Sequence, residues 1–76
     1  MNIKKRQEFV PLEIRNWDKT NFAEVLYEIC DSLKKYTNDV IEVHQVVKIG
    51  KIGNEWKFLI IINISQDYDN LGDLVE

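Results

Sequence analysis

The chain contains little of several residue types that small proteins use for stability and for chemistry. Its 76 residues include one cysteine, one histidine and one proline. The lone cysteine, Cys30, excludes a disulfide within the chain, and with His44 as the only histidine it excludes a Cys/His zinc site built by one copy. A domain this short buries only about 60% of the surface that its unfolded chain exposes. We therefore expect self-association or a partner protein to add stability.

Long hydrophobic runs and a leader pattern are also absent from the sequence. The longest unbroken apolar stretch, residues 58–62, is far too short to cross a bilayer. Residues 1–6 carry positive charge, but no apolar segment follows them, so they do not resemble a secretory signal. These absences and the lone thiol predict a cytoplasmic protein that makes no membrane contact.

The net charge of −3 is divided unevenly along the chain. Lys4, Lys5 and Arg6 lie near the start, whereas residues 67–76 are acidic. We interpret both ends as solvated surface. Together with Arg15, the basic start offers nucleic acid as an alternative partner. So few cations in an acidic chain neutralise few phosphates, which argues against that alternative.

The strongest pattern lies in residues 56–64, where every second residue is apolar. This apolar set consists of Trp56, Phe58, Ile60, Ile62 and Ile64. The alternate set is mixed and consists of Lys57, Leu59, Ile61 and Asn63. A strand with one apolar face and one mixed face is typical of the middle of a sheet that has one side buried. We therefore predict that this strand is central.

Two further strands are predicted to flank the central one. Residues 8–15 alternate in polarity, and Pro11, which cannot donate to a ladder, places them at a sheet edge. Residues 40–49 also alternate, and they join residues 56–64 in a hairpin through a turn at Gly53.

One helix is predicted between the first two strands. Apolar residues recur at steps of three or four from Phe22 to Tyr36, which is typical of a helix that packs one face on a core. Asp18 is the expected N-cap, and Trp17 and Phe22 are placed to form a hydrophobic staple. Asn38 suits the left-handed residue that ends such a helix.

The fold class that follows is α+β. We predict a βαββ unit with a three-stranded antiparallel sheet of order 1-3-2 and one helix packed on one face. Residues 1–65 form the single predicted domain, and residues 66–76 are predicted to be an acidic, flexible tail. As an alternative, Leu71, Leu74 and Val75 would make this tail a short docking segment.

One helix cannot cover both sides of the sheet. The uncovered face is predicted to carry apolar residues among polar ones, an arrangement that usually marks an interface. The predicted interface residues are Phe9, His44, Val46, Lys57, Leu59 and Ile61. The second strand is also an edge without proline, free to accept another strand.

Catalytic and metal-binding patterns are weak along the chain. His44 has the chemistry of a general base, but no nucleophile lies at a sequence position that implies proximity. Residues 50–53 lack the glycine spacing and the Lys-Ser/Thr pair of a phosphate loop. Residues 67–72 match only half of a calcium loop. We therefore predict a protein that is not an enzyme and that holds no metal or cofactor.

The layout of strand, capped helix and long hairpin resembles the dodecins, small flavin-binding βαββ proteins that assemble into hollow shells. The resemblance rests on residues 40–64, whose length and alternation match the dodecin hairpin, with its turn at Gly53. It implies a flavin stacked on an aromatic residue at the start of the helix, where this chain has Phe22 preceded by Trp17. It also implies a ligand-contacting glutamine, for which Gln45 is the counterpart. The ligand residues of this alternative are Trp17, Phe22, His44 and Gln45.

The prediction for function is a small, non-catalytic protein-interaction module. It would act as a homo-oligomer, or as an adaptor or inhibitor of a larger protein, through the open sheet face and the edge strand. The alternatives are an oligomeric protein that binds or stores a flavin-like ligand and a nucleic-acid binder that uses its basic start. Abundant Ile, Lys and Asn are typical of AT-rich genomes and predict an origin in low-GC Gram-positive bacteria or their phages.

Overall fold

A computed structural model describes residues 3–15 and 17–75. In this part of the chain the elements are strand β1 (Ile3–Ile14), a single 3-10 turn (Trp17–Lys19), helix α1 (Phe22–Leu33), strand β2 (Val40–Ile52) and strand β3 (Glu55–Asp67). The strands form one sheet of order β1-β3-β2, and both neighbouring pairs are antiparallel. The predicted α+β class, βαββ layout and strand order are confirmed.

The core lies between β3 and α1. Ile60, Ile62 and Ile64 of the central strand are 0%, 0% and 1% exposed, and they alternate with half-buried residues on the other face. The helix contributes an apolar stripe that packs against this buried face; the stripe consists of Phe22, Leu26, Ile29, Cys30 and Leu33. The alternation of residues 56–64 therefore places the core as predicted.

Strand β1 is longer than predicted and includes the basic residues near the start of the chain. It begins at Ile3 rather than at residue 8, because β3 continues to Asp67 and offers a partner along its whole length. Lys4 and Lys5 lie opposite Gln66 and Ser65, so they belong to the sheet rather than to a free arm.

The helix begins three residues later than predicted. The side-chain oxygen of Asn21 accepts a hydrogen bond from the Glu24 N–H at 3.2 Å, so Asn21 is the N-cap and the prediction of Asp18 was wrong. Asp18 lies instead within the 3-10 turn, which is closed by a bond of 3.2 Å from the Thr20 N–H to the Trp17 carbonyl. The Trp17 and Phe22 rings nevertheless contact each other, with centroids 5.4 Å apart.

The helix also ends earlier than predicted, and Tyr36 and Asn38 lie beyond it. Its last residue is Leu33, and the Lys34 N–H donates to the carbonyls of Cys30 and Asp31. Asp39 accepts from the N–H groups of Lys35 and Tyr36, which holds the chain in a turn instead of a further helical turn.

The end of the chain is hydrogen-bonded to the segment that follows the helix. The Thr37 N–H donates to the Asp73 carbonyl at 2.8 Å, and the Val75 N–H donates to the Lys35 carbonyl at 3.0 Å. The domain boundary predicted at residue 65 falls inside β3. Residues 71–75, predicted to form a flexible tail, are therefore joined to the fold by backbone bonds, and Glu76 lies outside the described residues.

Replacing Gly72 with alanine is expected to detach this segment. Gly72 has a φ of +78°, and an added Cβ would collide with Thr37 Oγ1, so strain of about 1–3 kcal/mol is expected. Amide hydrogen exchange at Thr37 and Val75 should become faster. The matched control is Gly53→Ala, which shares a positive φ of +61° but meets nothing within 4 Å. Equal protection of Thr37 and Val75 in both variants would contradict the docking of this segment.

Candidate interaction surface

The face of the sheet opposite the helix carries a contiguous apolar surface. In β1, Phe9 lies opposite Ile61 of β3, and Pro11 lies opposite Leu59. On the other side of β3, Val47 of β2 also lies opposite Leu59. Because directly opposed residues of antiparallel strands share a face, these side chains are neighbours. We call this set the open-face patch: Phe9, Pro11, Val47, Leu59 and Ile61.

Exposure is concentrated at the edge of the open-face patch. The Phe9 side chain is 57% exposed, whereas Leu59 and Ile61 in the central strand are half-buried by their neighbours. A phenylalanine that exposes more than half of its surface gives up most of the stabilisation available from burying it, about 1.5–3 kcal/mol. Phe9 is therefore the patch residue with the most to gain from a docked surface.

Polar contacts border the patch at both ends. On the hairpin side, Lys57 Nζ donates to Glu13 Oε1 at 3.2 Å, and this bond holds the pKa of Glu13 below its usual range. On the other side, the Gln7 side-chain amide donates to the Asn63 side-chain oxygen at 2.9 Å. An apolar centre with a polar rim is the usual anatomy of a protein interface. Lys57, a predicted interface residue, lies in this rim.

Two of the predicted interface residues lie elsewhere because β2 contains a bulge. The pairing with β3 shifts between Val43 and Gln45, which leaves His44 as an extra, exposed residue without a partner in the ladder. Beyond the bulge the faces are exchanged, so Val46 lies opposite the buried Ile60. The prediction that Val46 shares the open face was therefore wrong.

Pro11 and Val47 are the patch residues absent from the predicted interface, and Val47 is the one that sequence reasoning placed on the wrong face. A strict alternation places Val47 on the helix side, together with the polar Gln45. The bulge at His44 moves Gln45 and Val47 to the open face, where they lie opposite Ile61 and Leu59. Gln45 was the available signal, because it is the polar exception among the apolar β2 residues that strict alternation assigns to the helix side. A shift of one residue after Val43 moves Gln45 to the other face and removes this exception.

The free edge of β2 combines apolar exposure with features that discourage pairing. Val40, Ile49 and Ile52 are exposed, and the strand pairs with β3 on one side. It also contains two register shifts and two lysines, Lys48 and Lys51. Bulges and edge lysines hinder the addition of another strand. The open-face patch is therefore the better docking surface of the two.

The residues of the flavin-like alternative do not form one site. Trp17 and Phe22 contact each other and Phe58 on the helix side of the sheet. Gln45 lies on the opposite face, and His44 is the bulged residue of the edge strand. The sheet itself thus separates the aromatic pair from Gln45.

The four cations of the nucleic-acid alternative are also dispersed. Lys4 and Lys5 lie on opposite faces of β1, because successive residues of a strand alternate. Arg6 forms an ion pair of 3.4 Å with Glu8, and Arg15, beyond the other end of the strand, forms one of 2.8 Å with Glu55. These four cations do not form a single surface.

Metal-binding and reactive groups are sparse in the part of the chain that the structure describes. Among residues 3–15 and 17–75, no three His, Cys, Asp or Glu side chains are grouped so that they could hold a metal ion. Burial raises the pKa of the Cys30 thiol, and the nearby Asp31 adds to this effect. The same residues include no helix that is long and apolar enough to cross a membrane.

Comparison with known protein families, with curated protein sequences and with solved structures found no match for this chain. The resemblance to the dodecins therefore stays a prediction.

Proposed function

We propose that this chain is a non-catalytic protein-interaction module that docks through the open-face patch. Its partner is either another copy of the chain or a larger protein for which it serves as adaptor or inhibitor. The observation that carries the proposal is the contiguous patch across all three strands, with Phe9 57% exposed at its edge. Patches of this kind mark interaction sites on small domains.

The dimensions of the two layers support a missing third layer. The 13 residues of β3 extend for about 43 Å, whereas the 12 residues of α1 span about 18 Å. The Cα radius of gyration is 14.6 Å, compared with about 11 Å for a typical domain of this length. The helix thus covers only part of one face of the sheet, and the open-face patch lies on the other face, which no helix of the described residues covers. A surface docked there would bury apolar area that this chain leaves exposed.

Within the patch, Phe9 is the proposed centre of the binding energy. Aromatic side chains dominate interfaces because they bury a large area at low entropic cost. Leu59 and Ile61 would form a flat apolar floor beside it, and the Glu13–Lys57 ion pair would lie at the solvated rim. The proposal therefore predicts that a charge at residue 9 has the largest effect on association.

The Phe9→Glu variant tests the self-association branch of the proposal. Since Phe9 is exposed, the variant should fold, but a carboxylate within the docked patch should reduce association by tenfold or more, about 1.4 kcal/mol. Light scattering over a range of concentrations is the measurement. The wild type should exceed the 9.0 kDa of one chain, and Phe9→Glu should return to that mass.

Tyr27→Glu is the matched control for this experiment. Tyr27 is the most exposed large hydrophobic residue of the described chain, and it lies on α1, on the other side of the sheet. The control should associate like the wild type. An oligomer that persists in Phe9→Glu, or that is lost equally in Tyr27→Glu, would contradict docking through the open-face patch.

A further inference from the structure

The hairpin end of the sheet carries a cleft on the helix side, away from the open-face patch. Its volume is about 370 Å³, and the residues that line it are Arg15, Trp17, Asp18, Lys51, Asn54 and Trp56. A narrower slot of about 90 Å³ lies between Trp17, Lys48, Trp56 and Phe58. Trp17 and Trp56 line both the cleft and the slot, so the two cavities form one indentation that extends towards the core.

One wall of the cleft is a fixed but accessible aromatic ring. Trp17 stacks on Phe58 with centroids 5.3 Å apart and an angle of 27° between the planes, and Phe22 packs beside it at 5.4 Å. Despite these contacts, Trp17 is 42% exposed. A ring that is held by packing contacts but is still partly exposed to solvent is suited to stacking a planar group.

The other wall carries two ammonium groups above one indole. Lys48 Nζ lies 4.2 Å from the centroid of the Trp56 ring, and Lys51 Nζ lies 5.5 Å from it. No carboxylate of the described residues lies within ion-pair distance of either lysine, whereas Arg15 is paired with Glu55 at 2.8 Å. Asp18 also lines the cleft but forms no ion pair with either lysine, so the two ammonium groups leave a local excess of positive charge in a chain of net charge −3.

The second bulge of β2 is what brings these lysines together. Residues three apart in a regular strand point to opposite faces. The register shift between Lys48 and Gly50 changes this, so that Lys48 lies opposite Phe58 and Lys51 lies opposite Trp56, on the same face. Bulges that redirect a side chain are common beside binding sites.

From this geometry we propose that the cleft binds a planar aromatic ring that carries a phosphate, the chemistry of a nucleotide. The ring stacks on the exposed face of Trp17, and the phosphate lies between the ammonium groups of Lys48 and Lys51. A phosphate monoester carries a charge of about −1.5 to −2 at neutral pH, which matches two unpaired lysines better than a single carboxylate does. A free nucleotide carries this monoester, whereas a nucleotide within single-stranded nucleic acid offers the same ring with a diester phosphate of charge about −1.

The sequence itself provides the probe for this proposal. The chain has two tryptophans, and both line the cleft, so intrinsic fluorescence reports on this site. Thymidine 5′-monophosphate and a short oligothymidylate should each be titrated at low salt, because thymine absorbs little at the wavelength that excites tryptophan. Stacking on Trp17 should quench the emission to saturation.

Lys48→Gln combined with Lys51→Gln is the informative variant, since both side chains are exposed and their loss should leave the fold intact by circular dichroism. The double variant should bind at least about tenfold more weakly than the wild type. The control is Lys4→Gln with Lys5→Gln, which removes the same charge from the far end of the sheet and should bind like the wild type.

The two probes distinguish the source of the ligand. Similar affinities for the mononucleotide and the oligonucleotide support a free nucleotide. Much tighter binding of the oligonucleotide, with a steep dependence on salt, supports single-stranded nucleic acid. The proposal is overturned if neither probe changes the fluorescence at millimolar concentration, or if the Lys48/Lys51 variant binds as well as the wild type. Either result would mean that the two lysines only pack over the Trp56 ring in contact with solvent and bind no phosphate.

Discussion

Shortening Ile62 to alanine is expected to lower the free energy of unfolding by about 2–5 kcal/mol. Ile62 is 0% exposed and lies on the helix side of the central strand. Its truncation removes apolar contacts and leaves a cavity between β3 and α1 that the close-packed neighbours cannot fill. A chain of 76 residues has roughly 4–11 kcal/mol of stability in total, so this single change is expected to bring the protein close to its unfolding threshold.

The neighbouring residue provides the control for this prediction. Ile61→Ala deletes the same atoms one position earlier, on the open face, where the side chain is half-buried. The expected cost is about 1 kcal/mol or less, because solvent already reaches this face. Denaturant unfolding should be followed at one protein concentration, since association would add its own stability. Equal losses for Ile61 and Ile62 would contradict the assignment of one covered and one open face.

Replacing Asp39 with alanine is the second large effect, with an expected loss of about 2–4 kcal/mol. Asp39 is 5% exposed and lies between the end of the helix and β2. Its Oδ2 accepts hydrogen bonds from the N–H groups of Lys35 and Tyr36 at 3.0 and 2.9 Å, and from the Gln66 side-chain amide at 3.3 Å. Alanine would leave these donors without their acceptor. Asp31→Ala, on the exposed surface of α1, is the matched control and should change stability little.

The charge of Asp39 also makes stability depend on pH. Burial raises the pKa of Asp39, but the N–H groups of Tyr36 and Lys35 and the Gln66 amide outweigh it, so the pKa lies below its usual value. The carboxylate therefore stabilises the fold above about pH 3.9, the value expected in the unfolded chain. This contribution is lost as the pH falls through the lower pKa of the folded state.

Asp39→Asn separates the charge of Asp39 from its shape. The amide has nearly the same volume but does not titrate in this range, so the dependence of stability on pH below about pH 4 should be weaker in the variant than in the wild type. Thermal unfolding at several pH values measures this difference. If stability falls equally steeply with decreasing pH in the variant and in the wild type, the role assigned to the carboxylate is contradicted.

The strand order could be predicted because two independent sequence signals agree on it. The apolar alternation of residues 56–64 requires a strand with neighbours on both sides, and Pro11 favours an edge. The N-cap was misplaced because Asp18 and Asn21 are equally good capping residues by type. The choice between them depends on Trp17 packing against Phe58, a contact across 41 positions that no local pattern contains.

The open-face patch was only partly predictable, for a different reason. Phe9, Leu59 and Ile61 lie on regular strands, where alternation assigns the face directly. Val46 and Val47 follow the bulge at His44, and a shift of one residue exchanges their faces. Similarly, the positions of residues 71–75 depend on Gly72 fitting against Thr37, a tertiary contact between distant segments.

A capture experiment with three baits shows whether the open-face patch is a protein docking surface. Wild-type chain, Phe9→Glu and Tyr27→Glu are immobilised and exposed to an extract of the source cells supplemented with a tagged copy of the chain. We expect the wild type and Tyr27→Glu to retain the same protein, either the tagged copy or a larger partner, and we expect Phe9→Glu not to retain it. Retention of the same proteins on all three baits, or of none on the wild type, would show that the open-face patch is not a docking surface.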